Sequence, residues 1–381
     1  MKKRHFFGKA LALCCLACAL VLAGCDNPTR GNGNNGNNGH VPSWSGPHML
    51  ATWDDLDWQF DVAFGNGTFF VLGDADSQGN RIVKTSTDGI NWTNAATRFS
   101  AFDWLGGIAF GGERFFAFGH GYGGGQLMVR ASTNGTIWTD DVTECFSTYF
   151  HMINRIAYSG GRFFVFGVDD DYYDLVKTTR DFSTWYDLTY DFEDFMSFGH
   201  HAEIFYGAGR FFIWGPSASS APLLKTSLDD GISWQPAAVT GIDWLRGISF
   251  GNDRFVAFGQ CSSFYTLIKT SVNGTDWDDV TDVFGDPDYF WFNYISFAGG
   301  RFFAFGSRWG DVGLNIWGDN QALAKSSTDG INWTEEPFLA YRLYTEDGLT
   351  IRGVFSGGGR TFVIADEWDS GQQTMVVFVK D

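Results

Sequence analysis

The stretch that decides the fold is Thr85–Thr93, which reads TSTDGINWT and returns almost unchanged as SSTDGINWT at Ser326–Thr334. Each copy predicts a β-hairpin, because Asp-Gly supplies the positive φ angles of a tight turn and β-prone residues flank it on both sides. Looser copies with Asn-Gly or Asp-Gly lie at Ala131–Thr139, Thr226–Trp234 and Thr270–Trp277. The chain is therefore built from a repeated hairpin.

A second motif precedes each hairpin and sets the length of the repeat. It reads GRFFxFG or a close variant. Its first phenylalanine stands at Phe69, Phe115, Phe163, Phe211, Phe255 and Phe302, at steps of 46, 48, 48, 44 and 47 residues. A longer step of 59 residues reaches Thr361 in a last copy. Self-similarity at such a period is typical of stacked repeats, and the count predicts seven of them.

Each repeat reads as four short strands, and the second strand is apolar on both faces. In the second repeat, Phe115 and Ala117 alternate with Phe116 and Phe118. A strand of this kind is buried on both faces. Four-stranded sheets stacked face to face in a closed ring satisfy this requirement. We therefore predict an all-β fold, a seven-bladed β-propeller of four-stranded blades.

The two ends of the repeat region predict how the ring closes. The last repeat stops at Met375–Lys380, its third strand, and so lacks a fourth. The stretch His48–Trp53 precedes the first repeat and has no partner of its own. Pairing the two would complete the seventh blade and cover an exposed sheet edge. We expect an N-terminal strand to close the ring.

One hairpin carries a family resemblance. Ser227–Trp234 matches the Asp-box (BNR) pattern S-x-D-x-G-x-x-W of sialidase-like propellers, and the resemblance covers about residues 49–381. Aligned on the glycine, other copies depart from the pattern: Thr87 and Thr328 stand where the aspartate belongs, and Phe182 stands where glycine belongs. The resemblance implies that the hairpins are structural and lie away from the ligand-binding face.

The N-terminus looks like a targeting segment. Basic residues within positions 1–9 precede the apolar stretch Ala10–Leu22, which is too short to span a bilayer comfortably. Leu22–Cys25 resembles a bacterial lipobox, which implies lipidation of Cys25 and cleavage before it. The alternative is an ordinary secretory signal with an incidental cysteine. We expect a lipid-anchored protein of the bacterial cell envelope, on the inner membrane facing the periplasm or on the outer membrane or surface.

The domain organisation follows from composition. Residues 1–24 form the lipoprotein signal peptide, residues 25–47 a flexible Gly/Asn-rich tether, and residues 48–381 the propeller. The net charge is −18, and removing residues 1–24, with four basic side chains and no acidic ones, leaves −22. Such a body should repel nucleic acid and anionic lipid head groups. The membrane lipid anchor and a glycan or protein ligand are the expected partners.

Candidate ligand-binding residues lie at the starts of the first strands. In each first strand we take one apolar residue as the anchor, such as Val62, Ile108, Ile248 or Ile295. Four residues before the anchor, five repeats have an aromatic or histidine side chain: Trp58, Trp104, His200, Trp244 and Trp291. One interpretation is packing between blades. The other is an aromatic platform for a sugar ring or an apolar ligand.

Signals for a metal or cofactor are weak, and we expect neither. Asp74–Gly79 resembles the start of a calcium loop, but Thr85 stands where the closing glutamate should be. His200 and His201 adjoin Glu203, yet neighbouring side chains on a strand point to opposite sides. Neither group therefore reads as a ligand set.

A glycan-processing enzyme of sialidase type is the alternative hypothesis. The resemblance implies three arginines, a tyrosine nucleophile with a glutamate partner, and an acid/base aspartate. Residues of these types lie near the first-strand entrances: Arg155, Arg246, Arg352, Tyr294, Glu203 and Asp61. Arg246 and Arg352 stand two residues before the anchor residue of their first strand. The residues that stand one position before it are Arg155, Tyr294, Glu203 and Asp61. A period of two would turn those two arginines to the other side of their strands.

The sequence favours a lipid-anchored binding or scaffolding module over this enzyme. A third possibility is an assembly factor for a membrane protein complex, since photosystem II stability-factor propellers also carry degenerate Asp-boxes. An enzyme would need a polar constellation at the mouth of the channel, whereas a binder would not. The identity of the ligand does not follow from the sequence.

Overall fold

The computed structural model describes residues 44–52, 61–75, 81–121, 125–195, 203–215, 223–284, 290–309, 320–339, 349–369 and 372–380. In these residues the chain forms seven four-stranded sheets, which are the blades of a β-propeller. Strands that are neighbours in a sheet pair antiparallel. The predicted fold class is therefore confirmed.

The blades follow one another along the chain, and their strands are numbered here in chain order. Blade 1 contains β2 (Asp61–Gly65), β3 (Thr68–Ala75), β4 (Arg81–Ser86) and β5 (Thr93–Asn94). Blade 2 contains β6 (Phe102–Gly111), β7 (Arg114–Gly121), β8 (Leu127–Ser132) and β9 (Asp140–Asp141). Blade 3 contains β10 (Met152–Ser159), β11 (Arg162–Val168), β12 (Asp174–Thr179) and β13 (Trp185–Asp187). Blade 4 contains β14 (Glu203–Gly207), β15 (Arg210–Gly215), β16 (Leu223–Ser227) and β17 (Gln235–Ala237).

Blades 5 to 7 repeat this order, with one exchange at the end. Blade 5 contains β18 (Trp244–Gly251), β19 (Arg254–Gln260), β20 (Thr266–Ser271) and β21 (Asp278–Asp279). Blade 6 contains β22 (Phe290–Ala298), β23 (Arg301–Trp309), β24 (Asn320–Ser327) and β25 (Thr334–Glu335). Blade 7 contains β26 (Leu349–Gly357), β27 (Arg360–Asp369), β28 (Gln372–Lys380) and, as its outer strand, β1 (Trp44–Thr52). Short helical turns at Ala96–Phe99, Glu144–Ser147 (α1), Tyr190–Phe192 and Thr281–Phe284 lie between blades.

The N-terminal strand closes the ring, as predicted. β1 pairs antiparallel with β28, with Trp44 opposite Lys380 and Thr52 opposite Thr374. The strand begins at Trp44, four residues before the predicted start at His48. The predicted signal segment, and the tether up to residue 43, lie outside the described residues.

The second strand of each blade is buried on both sides because each sheet lies between two others. In β7, Phe115 and Ala117 pack in the cluster shared with blade 1, whereas Phe116 and Phe118 pack in the cluster shared with blade 3. The burial of each such phenylalanine contributes about 1.5–3 kcal/mol to the free energy of folding. The double-sided apolar pattern read from the sequence therefore serves two interfaces at once.

The first strand of five blades contains a β-bulge. The extra residues are Gly106, Asn154, Arg246, Asn293 and Arg352, and β6 has a second one at Asp103. In blade 5 the bulge lets Leu245 and Ile248, three residues apart, enter the same core cluster. The strict period of two assumed from the sequence therefore breaks at this point.

The hairpins between the third and fourth strands share one hydrogen-bond network. In blade 1, Ser86 Oγ accepts the N–H of Gly89 at 2.8 Å and donates to Asp88 Oδ1 at 2.9 Å. Asp88 Oδ1 also accepts the N–H of Asn91 at 2.8 Å, and Trp92 Nε1 donates to the Gly89 carbonyl at 3.0 Å. Burial alone would raise the pKa of Asp88, but these hydrogen bonds outweigh it and hold the pKa below its usual range.

This network shows which residue of the shorter hairpins corresponds to the aspartate of the Asp-box pattern. Aligning on glycine places Thr87 and Thr328 at the aspartate position, which is wrong. Serine and aspartate are two residues apart in Ser86–Asp88 as in Ser227–Asp229, and both aspartates accept N–H groups of following residues. The shorter hairpins instead lack one residue between aspartate and glycine.

The phenylalanine that replaces the hairpin glycine in blade 3 keeps the glycine conformation. Phe182 has a φ of 60°, in the left-handed region. Its ring lies 4.6 Å from that of Phe163 and 5.3 Å from that of Phe116. Burial against these rings offsets the cost of the backbone conformation.

Candidate ligand-binding face

The two ends of the ring carry different connections. The hairpins and the tight turns between first and second strands lie at one end, which we call the hairpin face. The connections between second and third strands and between blades lie at the other end, the loop face. The described aromatic and histidine side chains at the strand ends and second-to-third-strand connections of the loop face include Trp104, His120, His151, Tyr172, Tyr173, Trp244, Phe264 and Tyr265, and the inter-blade connections add exposed tyrosines at Tyr149 and Tyr190.

Blade 5 places a stacked aromatic pair on the loop face. The rings of Trp244 and Phe264 are 5.3 Å apart with an interplanar angle of 10°. Phe264 is 68% exposed, so one side of the pair faces water. Trp244 begins β18 and lies opposite Gln260 at the end of β19, which brings the strand start and the loop together.

Backbone hydrogen bonds and the buried Gln260 hold the Phe264 loop in place. The N–H of Phe264 donates to the Cys261 carbonyl at 2.8 Å, and the N–H of Cys261 donates to the Tyr265 carbonyl at 3.1 Å. Gln260 is buried, and its Nε2 donates to the Phe264 carbonyl at 3.2 Å. Arg246 Nη2 donates to Gln260 Oε1 at 3.2 Å. The exposed ring is therefore preorganised by the buried shell beneath it.

Blade 3 carries a loop of the same shape. The N–H of Tyr172 donates to the Asp169 carbonyl at 3.0 Å, and the N–H of Asp169 donates to the Tyr173 carbonyl at 3.0 Å. Tyr172 is 69% exposed, and its ring meets that of His151 edge to face at 4.9 Å. His151 Nδ1 lies 3.5 Å from Asp170 Oδ1. Aromatic, hydrogen-bonding and acidic groups therefore share this part of the loop face.

Blade 2 adds a tryptophan over a histidine. The ring of Trp104 lies 5.5 Å from that of His120, to which it is opposite in the sheet, and Trp104 is 42% exposed. Burial lowers the pKa of His120, and the nearby His151 lowers it further, while Asp103 partly offsets the shift. Nε2 of His120 is buried and has no hydrogen-bond partner. Burial and the neighbouring His151 therefore both favour the neutral imidazole.

The structure describes some of the predicted aromatic and histidine positions and not others. Trp104 and Trp244 lie on the loop face and belong to none of the inter-blade core clusters of the described residues. Trp58 and His200 lie outside the described residues. Trp291 is in β22, opposite Ser307, and its side chain is not among those described. Sequence reasoning missed Phe264, for which the signal was a short strand-to-strand connection with two adjacent aromatics and no glycine.

Two of the side chains proposed for a sialidase reaction, Tyr294 and Glu203, form hydrogen bonds within the propeller. Tyr294 is buried, and its hydroxyl accepts the N–H of Val354 from the neighbouring blade at 3.2 Å. Glu203 is also buried, and its Oε2 accepts the Nε1–H of Trp214 at 2.9 Å. These bonds serve the packing of the first strands. They do not resemble a nucleophile hydrogen-bonded to its base.

Arg246 and Arg352 do not follow the unbroken alternation that the sequence predicted for the first strands, because both are the bulged residues of their strands. A bulge changes the side to which neighbouring side chains point, so a period of two does not separate these arginines from Arg155. Arg155 and Arg246 are half-buried, while the side chains of Arg352 and Asp61 are not among those described.

Other predicted features fall partly outside the described residues. Cys25 and most of the possible calcium loop Asp74–Gly79 lie outside them. The described part of the chain contains no cluster of three or more side chains that could hold a metal ion. Cys145 and Cys261 are free thiols. Among the described helices, none is long and apolar enough to cross a membrane.

Comparisons with known proteins show the fold alone. No family model matches the sequence, and no curated protein matches it. A lectin from Burkholderia pseudomallei superposes with a TM-score of 0.51 and 13% identity, over 84% of this chain and 96% of the lectin. The β-propeller domain of the trilobed protease from Pyrococcus furiosus has a TM-score of 0.50 and 6% identity, over 82% and 96%.

A sialidase is a more distant neighbour. The Trypanosoma rangeli sialidase has a TM-score of 0.40 and 11% identity over 84% of this chain, which spans 54% of the sialidase. A superposition of this quality carries no argument about its site. The lectin and the protease domain establish the likeness: the chain has the fold of known β-propellers.

Proposed function

We propose that this chain is a glycan-binding module of a bacterial cell envelope, held to a membrane by a lipid on Cys25. The observation that carries the binding function is the Trp244–Phe264 stack, whose outer ring is exposed and whose loop backbone is held by hydrogen bonds that include the buried Gln260. A rigid aromatic face with polar groups beside it suits the flat C–H face of a sugar ring. It also fits the occurrence of binding sites on loops carried by a rigid scaffold.

The net negative charge of the chain favours uncharged ligands over negatively charged ones. Nucleobases also stack on aromatic rings, but nucleic acid binding depends on basic surfaces that neutralise phosphates. The net charge here is −18. A neutral glycan provides a stacking face without a repelled charge, so neutral sugars are favoured over nucleic acids and strongly anionic polymers.

The hairpins belong, in this proposal, to the Asp-box type. Their shared serine, aspartate and tryptophan hydrogen bonds support the assignment. Their role is to stabilise each blade from the hairpin face. This leaves the loop face available for ligands, where the exposed aromatic rings of blades 2, 3 and 5 lie.

Affinity electrophoresis tests the binding function on the mature chain, residues 25–381 with Cys25→Ser. The gels contain hydroxyethylcellulose, glycol chitin, xylan or glucomannan as neutral polymers, and polygalacturonate as an anionic one. We expect at least one neutral polymer to retard the protein at least tenfold more strongly than it retards Phe264→Ala. The matched control is Tyr206→Ala, a partly exposed aromatic beside a tight turn of the hairpin face, which should be retarded like the wild type.

Two results would overturn the glycan proposal. One is the absence of retardation by every polymer, and direct binding of a purified protein partner that Phe264→Ala abolishes would then establish a protein ligand instead. The other is turnover of a fluorogenic sialoside that is lost in Tyr294→Phe, which would establish the enzyme alternative. Equal retardation of the wild type and Phe264→Ala would show that the aromatic pair is not the site.

The lipid anchor has a separate test. Metabolic labelling with an alkyne fatty acid should tag the full chain and should fail to tag Cys25→Ser. Equal labelling of both proteins would contradict the anchor. It would favour an ordinary secretory signal, with no effect on the binding proposal.

A further inference from the structure

The loops 169–173 of blade 3 and 261–265 of blade 5 have the same backbone although their sequences, DDDYY and CSSFY, share only the last residue. Each is closed by the same pair of backbone hydrogen bonds. In each, the fourth residue is a large aromatic in the left-handed region, with φ of 64° at Tyr172 and 66° at Phe264. The two loops therefore present an exposed ring from equivalent positions.

This conformation is unfavourable for the residues that adopt it. A left-handed backbone costs a non-glycine residue about 1–2 kcal/mol, and glycine avoids that cost. In blade 2 the loop is one residue longer, with the N–H of Gly121 donating to the Gln126 carbonyl, and the position just before that closing residue holds Gly125 with a φ of 70°. Backbone strain of this kind tends to occur at ligand-binding sites. Among the described residues, the seven other non-glycine residues with a positive φ lie in turns of the hairpin face, whereas Tyr172 and Phe264 adopt it on the loop face with their rings exposed.

Each exposed ring also rests on a side chain from the start of a first strand. Phe264 stacks on Trp244, and Tyr172 meets the edge of His151. Both supporting residues belong to blades of one closed ring, with blade 4 between them. The two rings are therefore held at a fixed separation rather than on mobile segments.

We infer that these loops are two subsites for one linear polysaccharide of repeating neutral sugars, engaged at two places at once. The inference rests on the proposed function, since it needs glycan binding at Phe264, and it adds a second subsite at Tyr172. A polymer with regular units presents the same C–H face at many points along its length. A single terminal sugar would need only one such ring.

Two linked contacts predict a distinct dependence on ligand length. Once one subsite is occupied, the second binds at an effective concentration in the millimolar range, and the combined affinity exceeds either one by about 10²–10⁴. A disaccharide occupies one subsite and gains nothing. Loss of either ring should therefore remove the advantage of the polymer while leaving binding of the disaccharide at the other subsite.

The test compares the wild type, Tyr172→Gly, Phe264→Gly and the double variant as mature chains. The probes are glycol chitin, hydroxyethylcellulose and xylan in affinity gels, with chitobiose, cellobiose and xylobiose as competitors. We expect each single variant to lose at least tenfold in affinity for the polymer that retards the wild type, and the double variant to lose all retardation. Glycine relaxes the left-handed backbone, so these variants should unfold at a temperature equal to or above that of the wild type.

The outcomes separate this inference from the proposed function. Retardation that Phe264→Gly abolishes and Tyr172→Gly leaves unchanged would overturn the second subsite while supporting glycan binding. A wild type retarded by none of the polymers would overturn both. A fall in unfolding temperature in both glycine variants would assign the rings to loop packing, and would also overturn the inference. Tyr206→Ala, on the hairpin face, serves as the control for nonspecific loss.

Discussion

The hairpin face and the loop face of this propeller differ in what they repeat. On the hairpin face, Asp88 of blade 1 and Asp329 of blade 6 accept the N–H of the residue three positions on at 2.8 and 2.7 Å. On the loop face, equivalent positions hold Gly125, Tyr172 and Phe264. A contact found in blade after blade serves the fold, because each blade with such a hairpin uses it in the same way. A contact found in one or two blades is free to serve a ligand.

The junction of blades 6 and 7 is an exception to this difference between repeated and unrepeated contacts. Glu336 is buried and accepts hydrogen bonds from Trp44 Nε1 at 2.8 Å, Ser326 Oγ at 2.7 Å and Lys380 Nζ at 2.8 Å. Lys380 Nζ also lies 5.3 Å from the centre of the Trp44 ring. This network belongs to a single junction, yet it serves the fold, because a ring is closed only once.

The largest effect should come from removing the closing strand. A chain that starts at residue 56 loses β1, which exposes the edge of β28 and removes Trp44 from Glu336. We expect it to lose several kcal/mol of unfolding free energy or to fail to fold. Thermal unfolding followed by circular dichroism measures the change. An unfolding temperature equal to that of a chain starting at residue 40 would contradict the role of β1.

The buried carboxylate of the same junction should have the next largest effect. Glu336→Ala leaves the Lys380 ammonium and the Trp44 N–H without their acceptor, and we expect a loss of about 3 kcal/mol. Urea unfolding measures this free energy. Glu335→Ala, at an exposed neighbouring position, is the matched control and should change it by less than about 0.5 kcal/mol. Equal effects of the two substitutions would show that the network adds nothing to closure.

Acid should weaken the hairpin face through several carboxylates together. Backbone N–H groups of Thr184 and Ser183 lower the pKa of Asp181 to about 2, and the Arg180 guanidinium, with a contribution from Arg162, lowers that of Asp230 to about 2. A carboxylate with a lowered folded-state pKa stabilises the fold above its unfolded-state pKa, and this stabilisation disappears as the pH falls through the folded value. The unfolding temperature should therefore fall between about pH 4 and pH 2.

An asparagine substitution checks the origin of that acid sensitivity. Asp230→Asn removes the charge that binds Arg162 and Arg180 between blades 3 and 4. We expect its unfolding temperature to start lower at pH 7 and to decline less steeply toward pH 2. A decline as steep as that of the wild type would place the acid sensitivity elsewhere.

A single hairpin should contribute less than the closing junction. Asp329→Ala removes the acceptor for the N–H groups of Ile331 and Asn332 and should cost about 1–2 kcal/mol. Asp278→Ala, at an exposed position of an outer strand, is the comparison and should be nearly neutral. Glycan binding should remain at wild-type strength in both variants. Loss of binding in Asp329→Ala alone would break the division between the two faces.

The smallest effect on stability should come from the loop face. Phe264→Gly relaxes a strained φ of 66° but loses the stacking on Trp244, so the two changes nearly cancel, and the free energy of unfolding should equal that of the wild type or exceed it by less than about 1 kcal/mol. Urea unfolding measures it. The same variant should lose binding, which is the reverse of the expectation for Asp329→Ala. A large loss of stability would instead make Phe264 a structural residue.

The sequence alone determined the architecture. The spacing of the Phe69-type residues predicted seven blades, the double-sided apolar pattern of Phe115–Phe118 predicted sheets stacked on both sides, and the missing last strand predicted closure by the N-terminal segment. These features depend on backbone periodicity and on neighbours along the chain. Short-range patterns record them, because each blade repeats the same local solution.

Only the tertiary structure decided where the exceptions lie. The bulge at Arg246, the left-handed conformation of Tyr172 and Phe264, and the network around Glu336 depend on contacts between residues far apart in the chain. A bulge follows from packing two residues into one core cluster, and a left-handed aromatic persists because the surrounding loop and supporting ring hold it. Local propensity favours the opposite choice at each of these aromatic positions. Their conformations are therefore set by the closed ring rather than by neighbouring residues in the sequence.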